Sequence, residues 1–398
     1  MYILVINSGS SSIKYQLFPS DSDLPVSKGL IERIGLSGSF LTHTYKRGNE
    51  ETGIRLEEPI SDHASGMRKV AELLVRPDIA VLEDPEQITC IGHRVVHGGE
   101  TLAETTLITP AVKQKIEDLY PLAPLHNPGH IKGIEVTQQI FPAATQVAVF
   151  DTAFHQSLPE KAFRYAIPER FYAEEGVRVY GFHGISHQYV STEAARYLEN
   201  PQAKIITIHL GNGCSMAAVH AGRCIDTSMG LTPLDGLIMG TRSGAIDASV
   251  LIYLSDRLDM SAEALSKLLN KESGMLGLTG HSDMRDVGRL YEAGDPAARL
   301  AYEMYAYRIK KYIGAYAAAL NGLDAIVFTA GVGENDALAR ELVCTGLDVF
   351  GIGIDKEKNV LREPGIRNLT AANANTTVLV VPTNEELAIA RQCREVVH

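Results

Sequence analysis

The chain of 398 residues has few cysteines and no long apolar run. Its five cysteines are odd in number and form no C-x-x-C pair, so the sequence predicts free thiols in a reducing compartment rather than a disulfide framework. No apolar run approaches the roughly 20 residues of a membrane span. No basic segment with a cleavage site precedes the first predicted strand. We therefore expect a cytoplasmic protein.

Positively charged residues are also fewer than negatively charged ones. The net charge of −11 disfavours nucleic acid or an anionic membrane as a bulk partner. It does not exclude a small anionic substrate, because local clusters of Arg and Lys can reverse the field inside a cleft. A hydrophobic content of 45% with 21% charged residues is typical of a soluble globular enzyme. The length exceeds what one hydrophobic core usually supports, which predicts two domains.

Two common nucleotide-binding motifs are missing. The chain contains no G-x-x-x-x-G-K-[ST], and no G-x-G-x-x-G follows its first predicted strand. Instead, an apolar run at 3–6 enters the serine-rich turn 7–12 and leaves past Lys14, as in a hairpin suited to an oxyanion. A similar layout returns at 205–219 around 211–213. Each could be an ordinary surface turn, but the pair predicts a duplicated nucleotide-binding protein with a cleft between its halves.

Strands alternate with helices along the whole chain, which indicates an α/β protein. The buried strand 147–150 ends at Asp151, and we place the main domain junction there. The predicted N-terminal domain is therefore 1–150. A second domain follows it. A Gly-rich segment at 331–335 follows a strand and opens a helix, where small residues let a nucleotide approach the backbone.

Histidines occur in pairs with the four-residue spacing of a metal-binding helix. The pairs are His93 and His97, His126 and His130, and His183 and His187. None contains the glutamate of H-E-x-x-H, and Pro128-Gly129 is expected to break any helix between the second pair. The strand-like residues within the first pair would hold its histidines too far apart for one metal. The pattern therefore disfavours zinc.

A few polar residues stand where packing alone would not place them. His183 lies between glycines that would admit a ligand, so it is a candidate for an imidazole beside a phosphoryl group, or an ordinary packed or capping histidine. Arg94 at a strand end and Arg242 between glycines are suited to clamp a carboxylate or phosphoryl group. Asp151 is either a cleft carboxylate or an Asx-turn cap.

Taken together, these segments resemble the acetate kinase family, within the sugar kinase, heat-shock ATPase and actin superfamily, over essentially the full length. The segments that carry the resemblance are Asn7-Ser8-Gly9-Ser10-Ser11-Ser12-Ile13-Lys14, His93-Arg94-Val95-Val96-His97-Gly98-Gly99, Val149-Phe150-Asp151-Thr152-Ala153-Phe154-His155, Tyr180-Gly181-Phe182-His183-Gly184, His209-Leu210-Gly211-Asn212-Gly213, Met239-Gly240-Thr241-Arg242-Ser243-Gly244 and Pro382-Thr383-Asn384-Glu385-Glu386.

The resemblance implies a duplicated ribonuclease H-like (actin-like ATPase) fold with an interdomain cleft. It implies that a C-terminal helix at about 385–398 joins the N-terminal domain, and that residues 151–384 form a nucleotide-binding and dimerisation domain. The implied reaction is reversible transfer of the γ-phosphoryl group of ATP to acetate, which gives acetyl phosphate and ADP. The implied cofactor is Mg²⁺, with Mn²⁺ possible, and the implied assembly is a homodimer.

The resemblance also assigns site residues. The catalytic positions are Asp151, His183 and Arg242. The positions for the substrate carboxylate and its apolar pocket are Arg94, Val96, Leu125, Phe182 and Pro233. The ATP positions are Ser12, Lys14, His209, Leu210, Gly211, Asn212, Gly213, Asp283, Met284, Arg285, Gly331, Val332, Gly333, Glu334 and Asn335. The magnesium positions are Asn7 and Glu385, with Glu386 as a one-residue alternative.

The implied chemistry needs positive charge more than it needs a base. A carboxylate substrate is already ionised at pH 7 because carboxyl groups titrate near ~4. Two unit charges ~4 Å apart repel by about 4 kcal/mol at an effective dielectric constant near 20. Cationic side chains and Mg²⁺ can offset that repulsion. We therefore expect Asp151 to position other groups rather than accept a proton.

Two alternatives remain open at this point. One is a propionate kinase of the same family, because a methylene group is worth only ~1–3 kcal/mol of discrimination. Val96, where propionate kinases tend to have a smaller residue, favours acetate. The other alternative is an actin-like or chaperone-like ATPase switch. Such a protein has no use for Arg94 and Arg242 beside a small apolar pocket.

Overall fold

The computed structural model describes residues 1–9, 11–48, 50–124 and 126–397. The chain divides into two compact units, the first formed by Met1–Ala153 with Asn384–His398 and the second by Phe154–Thr383. The junction expected from the sequence, after Phe150, lies three residues before this division. Asp151 consequently belongs to the first unit.

Each unit is built on a β-sheet. The strands are β1 (Tyr2–Ser8), β2 (Ser12–Pro19), β3 (Ser27–Glu32), β4 (Phe40–Arg47), β5 (Glu50–Glu57), β6 (Ile88–Val95), β7 (Thr106–Leu107), β8 (Thr145–Phe150), β9 (Lys204–Leu210), β10 (Cys214–His220), β11 (Arg223–Thr227), β12 (Ala325–Thr329), β13 (Arg367–Asn368) and β14 (Thr377–Val380). The strand order is β5-β4-β3-β2-β1-β6-β8-β7 in the first unit and β11-β10-β9-β12-β14-β13 in the second.

Helices follow most of the inner strands. The α-helices are α1 (His63–Val75), α2 (Pro110–Asp118), α3 (Asn127–Ile140), α4 (Glu160–Phe163), α5 (Arg170–Ala173), α6 (Gly184–Tyr197), α7 (Ala248–Leu258), α8 (Ala262–Lys271), α9 (Gly274–Thr279), α10 (Met284–Glu292), α11 (Pro296–Leu320), α12 (Ala330–Asn335), α13 (Ala337–Cys344), α14 (Lys356–Val360) and α15 (Glu385–Val397). Short 3-10 helices cover Pro85–Gln87, Ala153–Ser157 and Asp348–Phe350.

The two sheets repeat one topology. In the first, β3, β2 and β1 pair antiparallel, and β6 and then β8 continue parallel to β1. In the second, β11, β10 and β9 pair antiparallel, and β12 and then β14 continue parallel to β9. This matching order confirms the α/β class and the duplication inferred from the two hairpins.

Apolar side chains of the hairpins form the centre of each unit. Leu4 and Ile6 of β1 and Tyr15 of β2 are buried in the first core, where α1 covers them. Ile205 of β9 and Val219 of β10 lie in the core of the second unit, which α6 covers. Helix α15 packs on β1 and β6, so the end of the chain completes the first unit.

One local prediction is wrong. Helix α3 runs through Pro128 and Gly129, which were expected to break it. Pro128 occupies the first turn, where its missing N–H costs no intrahelical hydrogen bond and its fixed φ suits the helix. His126 is the N-cap residue, and His130 lies inside the helix.

Neither a metal cluster nor a membrane-spanning helix is seen in the described ranges. Within them, no group of three or more His, Cys, Asp and Glu side chains could hold a metal ion. None of the helices there combines the length and the apolar character needed to cross a bilayer.

Candidate active site

Three predicted site residues meet at one edge of the first sheet. Asn7, Arg94 and Asp151 stand at the carboxyl ends of β1, β6 and β8, which are parallel neighbours. The Arg94 guanidinium donates from Nη2 to Asp151 Oδ2 at 2.6 Å and from Nε to the same oxygen at 3.1 Å. Its Nη1 donates to Asn7 Oδ1 at 3.4 Å. The sheet topology therefore assembles these side chains from distant parts of the sequence.

Arg94, which is partly buried, and Asp151, which is buried, form an ion pair. Burial raises the pKa of the Asp151 carboxyl, and the positive charge of Arg94 opposes that rise. Burial also lowers the pKa of Arg94, but attraction to Asp151 and Glu385 outweighs it and leaves that pKa raised. The guanidinium therefore stays charged. The Asp151 side chain is directed to Arg94 and is only 2% exposed, so it serves as more than an Asx-turn cap.

Arg94 keeps hydrogen-bonding capacity beyond this pair. A guanidinium has five N–H donors in a fixed planar arrangement. In the described part of the chain, Asp151 and Asn7 use Nε–H, one Nη2–H and one Nη1–H. One N–H on each terminal nitrogen remains for another acceptor, which matches the two oxygens of a carboxylate.

At the start of α15, the two adjacent glutamates have different surroundings. Glu386 is buried and accepts from Lys14 Nζ at 2.8 Å and from Gln16 Nε2 at 3.4 Å. Glu385 is half-buried and acts electrostatically on Arg94 and Asp151. Glu386 thus ties α15 to β2, and Glu385 is the carboxylate close to the Arg94 pair.

The other predicted residues of the first unit are placed as follows. Ser12 opens β2, and its carbonyl oxygen accepts from Gly9 N at 2.8 Å across the hairpin turn. Val96 is buried directly after β6. Leu125 lies outside the described residues.

In the second unit, His183 adopts an unusual backbone conformation. Its φ of 56° lies in the left-handed region, which is uncommon for a residue other than glycine. It is the N-cap residue of α6, but its side chain makes no capping hydrogen bond. The ring Nδ1 instead lies 2.8 Å from Ser215 Oγ, and the ring stacks on His209 at 4.2 Å between centroids. Strain of this kind persists where the surroundings fix a functional geometry.

His183 and Arg242 converge on Gly213. A Cβ atom built on Gly213 would lie 3.4 Å from His183 Cε1 and 3.7 Å from Arg242 Nη1. Arg242 Nη1 also donates to the carbonyl oxygen of Pro233 at 2.9 Å, and burial lowers the pKa of Arg242. Phe182, next to His183, is buried. The second unit therefore brings together a cationic side chain, an imidazole and a glycine backbone.

A cavity of about 1000 Å³ lies within the second unit. The predicted ATP residues that line it are Gly211, Asn212, Asp283, Met284, Arg285, Gly331, Val332 and Asn335. His209, Leu210, Gly213, Gly333 and Glu334 are not among its lining residues. The volume is at the upper end of the range for sites that bind small molecules and cofactors.

Two predicted residues in the cavity wall form an ion pair. Asp283 caps α10, and Arg285 Nε donates to its carboxylate at 3.0 Å and 3.1 Å. Hydrogen bonds from Arg285 lower the pKa of Asp283 to about 2.

Sequence reasoning missed much of the cavity wall. The missed residues include Cys214, Met239, Gly240, Met275, Ser282, Gly288, Arg289, Glu292, Tyr302, Tyr305, Asp336, Ala337, Leu338 and Arg362. Most of the apolar ones have the pattern of core residues, whereas Met239 and Gly240 lie in the segment Met239–Gly244 that carries the resemblance but were given no role. It also gave no role to His187, which was noted only for its four-residue spacing from His183, or to Ser215, whose only signal is its proximity to the Gly211–Gly213 turn.

A duplicated α/β fold with these two sites defines the actin-like class of proteins. Within that class the chain belongs to the acetokinase family, whose family model matches residues 2–391. This confirms the resemblance found in the sequence.

Named relatives resemble the chain over nearly its full length. It is 53% identical over 392 residues to an acetate kinase of Flavobacterium johnsoniae, covering 98% of both chains. Among solved structures, it matches the acetate kinase of Porphyromonas gingivalis with a TM-score of 0.93 and 42% identity, covering 100% of both chains. It also matches a propionate kinase of Francisella tularensis with a TM-score of 0.91 and 43% identity, covering 99% of both chains.

Proposed function

We propose that this protein is an acetate kinase that transfers the γ-phosphoryl group of ATP reversibly to acetate, giving acetyl phosphate and ADP. The observation that carries the proposal is the partly buried Arg94, which Asp151 holds and which keeps, among the described residues, one N–H on each terminal nitrogen for another acceptor. A small carboxylate fits that requirement. The named acetate kinases among its relatives support the same activity.

In this proposal the first unit binds the carboxylate. Arg94 receives its oxygens, and Asp151 holds the guanidinium in place. No general base is needed, because the substrate is ionised at neutral pH. Val96 directly follows the strand that carries Arg94 and is the residue of this unit proposed to limit the size of the acid; Leu125, Phe182 and Pro233 are assigned to the same task by the family resemblance alone.

The second unit binds the nucleotide and stabilises the transferring group. The cavity residues hold ATP, among them Asn212, Asp283 and Gly331. His183 and Arg242 donate to the equatorial oxygens of the phosphoryl group as charge accumulates there. Lys14 contributes positive charge to the phosphate. To do so, its ammonium group leaves the carboxylate of Glu386.

The proposed divalent ion is Mg²⁺, which Mn²⁺ can replace, held by Asn7 and Glu385. These residues fit it, because amide and carboxylate oxygens are the donors that Mg²⁺ prefers. Glu385 also acts electrostatically on Arg94 and Asp151, which lie beside Asn7. When bound, the ion neutralises phosphate charge.

We further propose that two copies associate through the second unit. Helix α7 presents Ile252, Tyr253 and Leu258 to solvent with exposures of 63%, 61% and 64%. None of its residues is buried in the described chain. Large exposed apolar patches usually mark an interface. Sedimentation should show a dimer, and Ile252→Asp should shift it to monomer; a wild-type monomer would contradict the proposal.

Nucleic acid and membrane are not expected partners, and the reducing cytoplasm remains the expected location.

The activity is tested by trapping the acyl phosphate. The protein is mixed with Mg·ATP, acetate and hydroxylamine, and acyl hydroxamate is measured beside ADP. We expect equal amounts of both, and we expect Arg94→Lys to lose most of the hydroxamate through a higher KM for acetate. ATP loss without hydroxamate would instead favour a nucleotide-dependent switch.

Propionate is the second candidate substrate, because a propionate kinase is 43% identical to this chain. Comparison of kcat/KM for acetate, propionate and butyrate decides between them. With Val96 in place, we expect acetate to be preferred over propionate by about 10–200-fold, the effect of one methylene group.

A further inference from the structure

Behind His183, a chain of hydrogen bonds links buried polar side chains. Ser215 Oγ lies 2.8 Å from His183 Nδ1 and 2.7 Å from His187 Nε2. His187 Nδ1 lies 2.7 Å from Thr207 Oγ1. Ser215, His187 and Thr207 are all 0% exposed. The order of the chain is thus His183, Ser215, His187 and Thr207.

The Thr207 end fixes the direction of the chain. Thr207 Oγ1 donates its one hydrogen to the carbonyl oxygen of Ala217 at 3.4 Å. In this arrangement it accepts from His187, which carries a hydrogen on Nδ1. Burial, together with the charges of His155 and His209, lowers the pKa of His187 well below its ordinary value. His187 is neutral, so its Nε2 has no hydrogen and accepts.

The direction then passes to His183. Ser215 has one hydroxyl hydrogen, which it donates to His187 Nε2. Its remaining interaction, with His183 Nδ1, must be one in which Ser215 accepts. We propose that Thr207, His187 and Ser215 are positioning residues that hold a proton on Nδ1 of His183 in both of its charge states. Nε2 of His183 can then donate to a phosphoryl oxygen only when the ring is an imidazolium.

The functional half of this inference rests on the proposed role of His183 in phosphoryl transfer. Among the described contacts, the titratable and charged groups beside the His183 ring include His209, His187 and Arg242. The predicted consequence is a loss of activity as the pH rises through the titration of His183. A chain running in the opposite direction would place the proton of neutral His183 on Nε2, and activity would not depend on this titration.

The tautomer is measured directly by nitrogen NMR of the full-length protein with ¹⁵N-labelled histidine. Assignment uses His183→Gln. In the wild type, we expect Nδ1 of His183 to remain protonated across the whole titration. In Ser215→Ala, the neutral ring should shift towards the form with its proton on Nε2. A wild-type neutral ring with its proton on Nε2 overturns the inference.

Two further variants control this experiment. Ser191→Ala removes a buried hydroxyl from the same helix, α6, where it donates only to the carbonyl of Gln188 in the described contacts, and should leave the tautomer unchanged. Thr207→Val removes the hydroxyl group that sets the direction of the hydrogen-bond chain. The neutral His183 ring should then shift towards the form with its proton on Nε2, as in Ser215→Ala. Thr207→Val serves if Ser215→Ala does not fold. An unchanged tautomer in both folded variants would overturn the inference.

Kinetics test the functional half. Wild-type kcat should fall about tenfold per pH unit above the titration of His183. In Ser215→Ala, kcat should be lower than in the wild type at acidic pH. It should fall less steeply as the pH rises, because the neutral His183 ring of this variant can still donate from Nε2. Ser191→Ala should follow the wild type. Identical limbs in Ser215→Ala and wild type would refute the functional half. Absence of acyl hydroxamate in the wild type would instead refute the proposed function and leave the NMR result intact.

Discussion

At the scale of single residues, the ion pair between Arg94 and Asp151 is the central feature of the candidate site in the first unit. The carboxylate is 2% exposed and contacts two nitrogens of the guanidinium. Removing one partner of such a pair leaves the other without compensation in a poorly hydrated place. The position of Arg94 therefore depends on the charge of Asp151.

Asp151→Asn tests this dependence. The amide cannot compensate Arg94, so we expect kcat to fall at least ~100-fold, the effect of losing one preorganised group. The Mg²⁺ concentration needed for half-maximal rate should rise, because Asn7 and Glu385 lie around the same pair. Loss of one ionisation from the pH–rate profile with unchanged Mg²⁺ dependence would instead identify Asp151 as a proton acceptor.

A matched control is Asp23→Asn. Asp23 also binds an arginine, Arg391, but its side chain is 44% exposed. Exposed ion pairs contribute about 0–1 kcal/mol. Activity should therefore be unchanged in this variant.

Gly331→Ala separates nucleotide binding from folding. A Cβ on Gly331 would meet no atom within 4 Å, and Gly331 lines the cavity of the second unit. Alanine should leave Tm unchanged or slightly raised, because it favours a helix over glycine. The added methyl group should raise KM for ATP about tenfold. Gly129→Ala in α3, which also meets nothing within 4 Å, should not change it. Equal KM values in both variants would place the nucleotide elsewhere.

The sequence singles out candidate residues but does not show their contacts. Arg94, Asp151 and His183 were each singled out from their neighbours in the chain. Their partners could not be found that way. Arg94 and Asp151 meet because β6 and β8 pair, and His183 meets Ser215 because α6 lies against β9 and β10. Such contacts depend on strand order, which no local pattern encodes.

At the scale of elements, β11 contains a carboxyl with unusual titration. Burial raises the pKa of Asp226 to about 6, against an ordinary value of 3.8. Between these values the native state binds more protons than the unfolded state, so stability falls as the pH rises through this window. The loss is complete once the native carboxyl is fully ionised, well above its pKa of about 6. A shift of this size corresponds to about 3 kcal/mol.

Asp226→Asn should remove this loss. Its amide oxygen can still accept from Thr227 N, as Asp226 Oδ1 does at 2.7 Å. We expect Tm of the variant to exceed that of the wild type at pH 7.5, with the difference shrinking near pH 4. Asp355→Asn serves as a control of opposite sign, because backbone hydrogen bonds lower the pKa of Asp355. A difference independent of pH would contradict the assignment.

Element positions were predicted well where periodicity was strong. The apolar run at 3–6 lies in β1, and the buried strand expected at 147–150 is the end of β8. The error at Pro128 arose because proline was treated as a breaker without regard to its position in the helix. A helix start depends on backbone geometry, and Asn127, which is buried and bonds to the backbone of His97, helps to set that geometry.

At the scale of the whole molecule, the repeated strand order explains why two similar hairpins occur about 200 residues apart. The sequence indicated the repeat through the hairpins but not through the inner parallel strands, whose pairing is long-range. It also gave no sign that β4 and β5 extend the first sheet only, or that β7 and β13 each add a short antiparallel edge strand to their sheet. Attachment of α15 to the first unit was expected only from the family resemblance, since a terminal helix can pack on any exposed sheet face.

The division of the chain predicts that the second unit can be isolated. Residues 154–383 are continuous in sequence, contain their own sheet and core, and hold every residue that lines the cavity. We expect this fragment to fold and to bind ADP within about tenfold of the intact protein, a difference of 1.4 kcal/mol. It should form no acyl hydroxamate, because it lacks Arg94. Calorimetry measures the affinity, and Gly331→Ala in the fragment should weaken it as in the full chain. A folded fragment that binds no ADP would show that the nucleotide needs residues of the first unit as well.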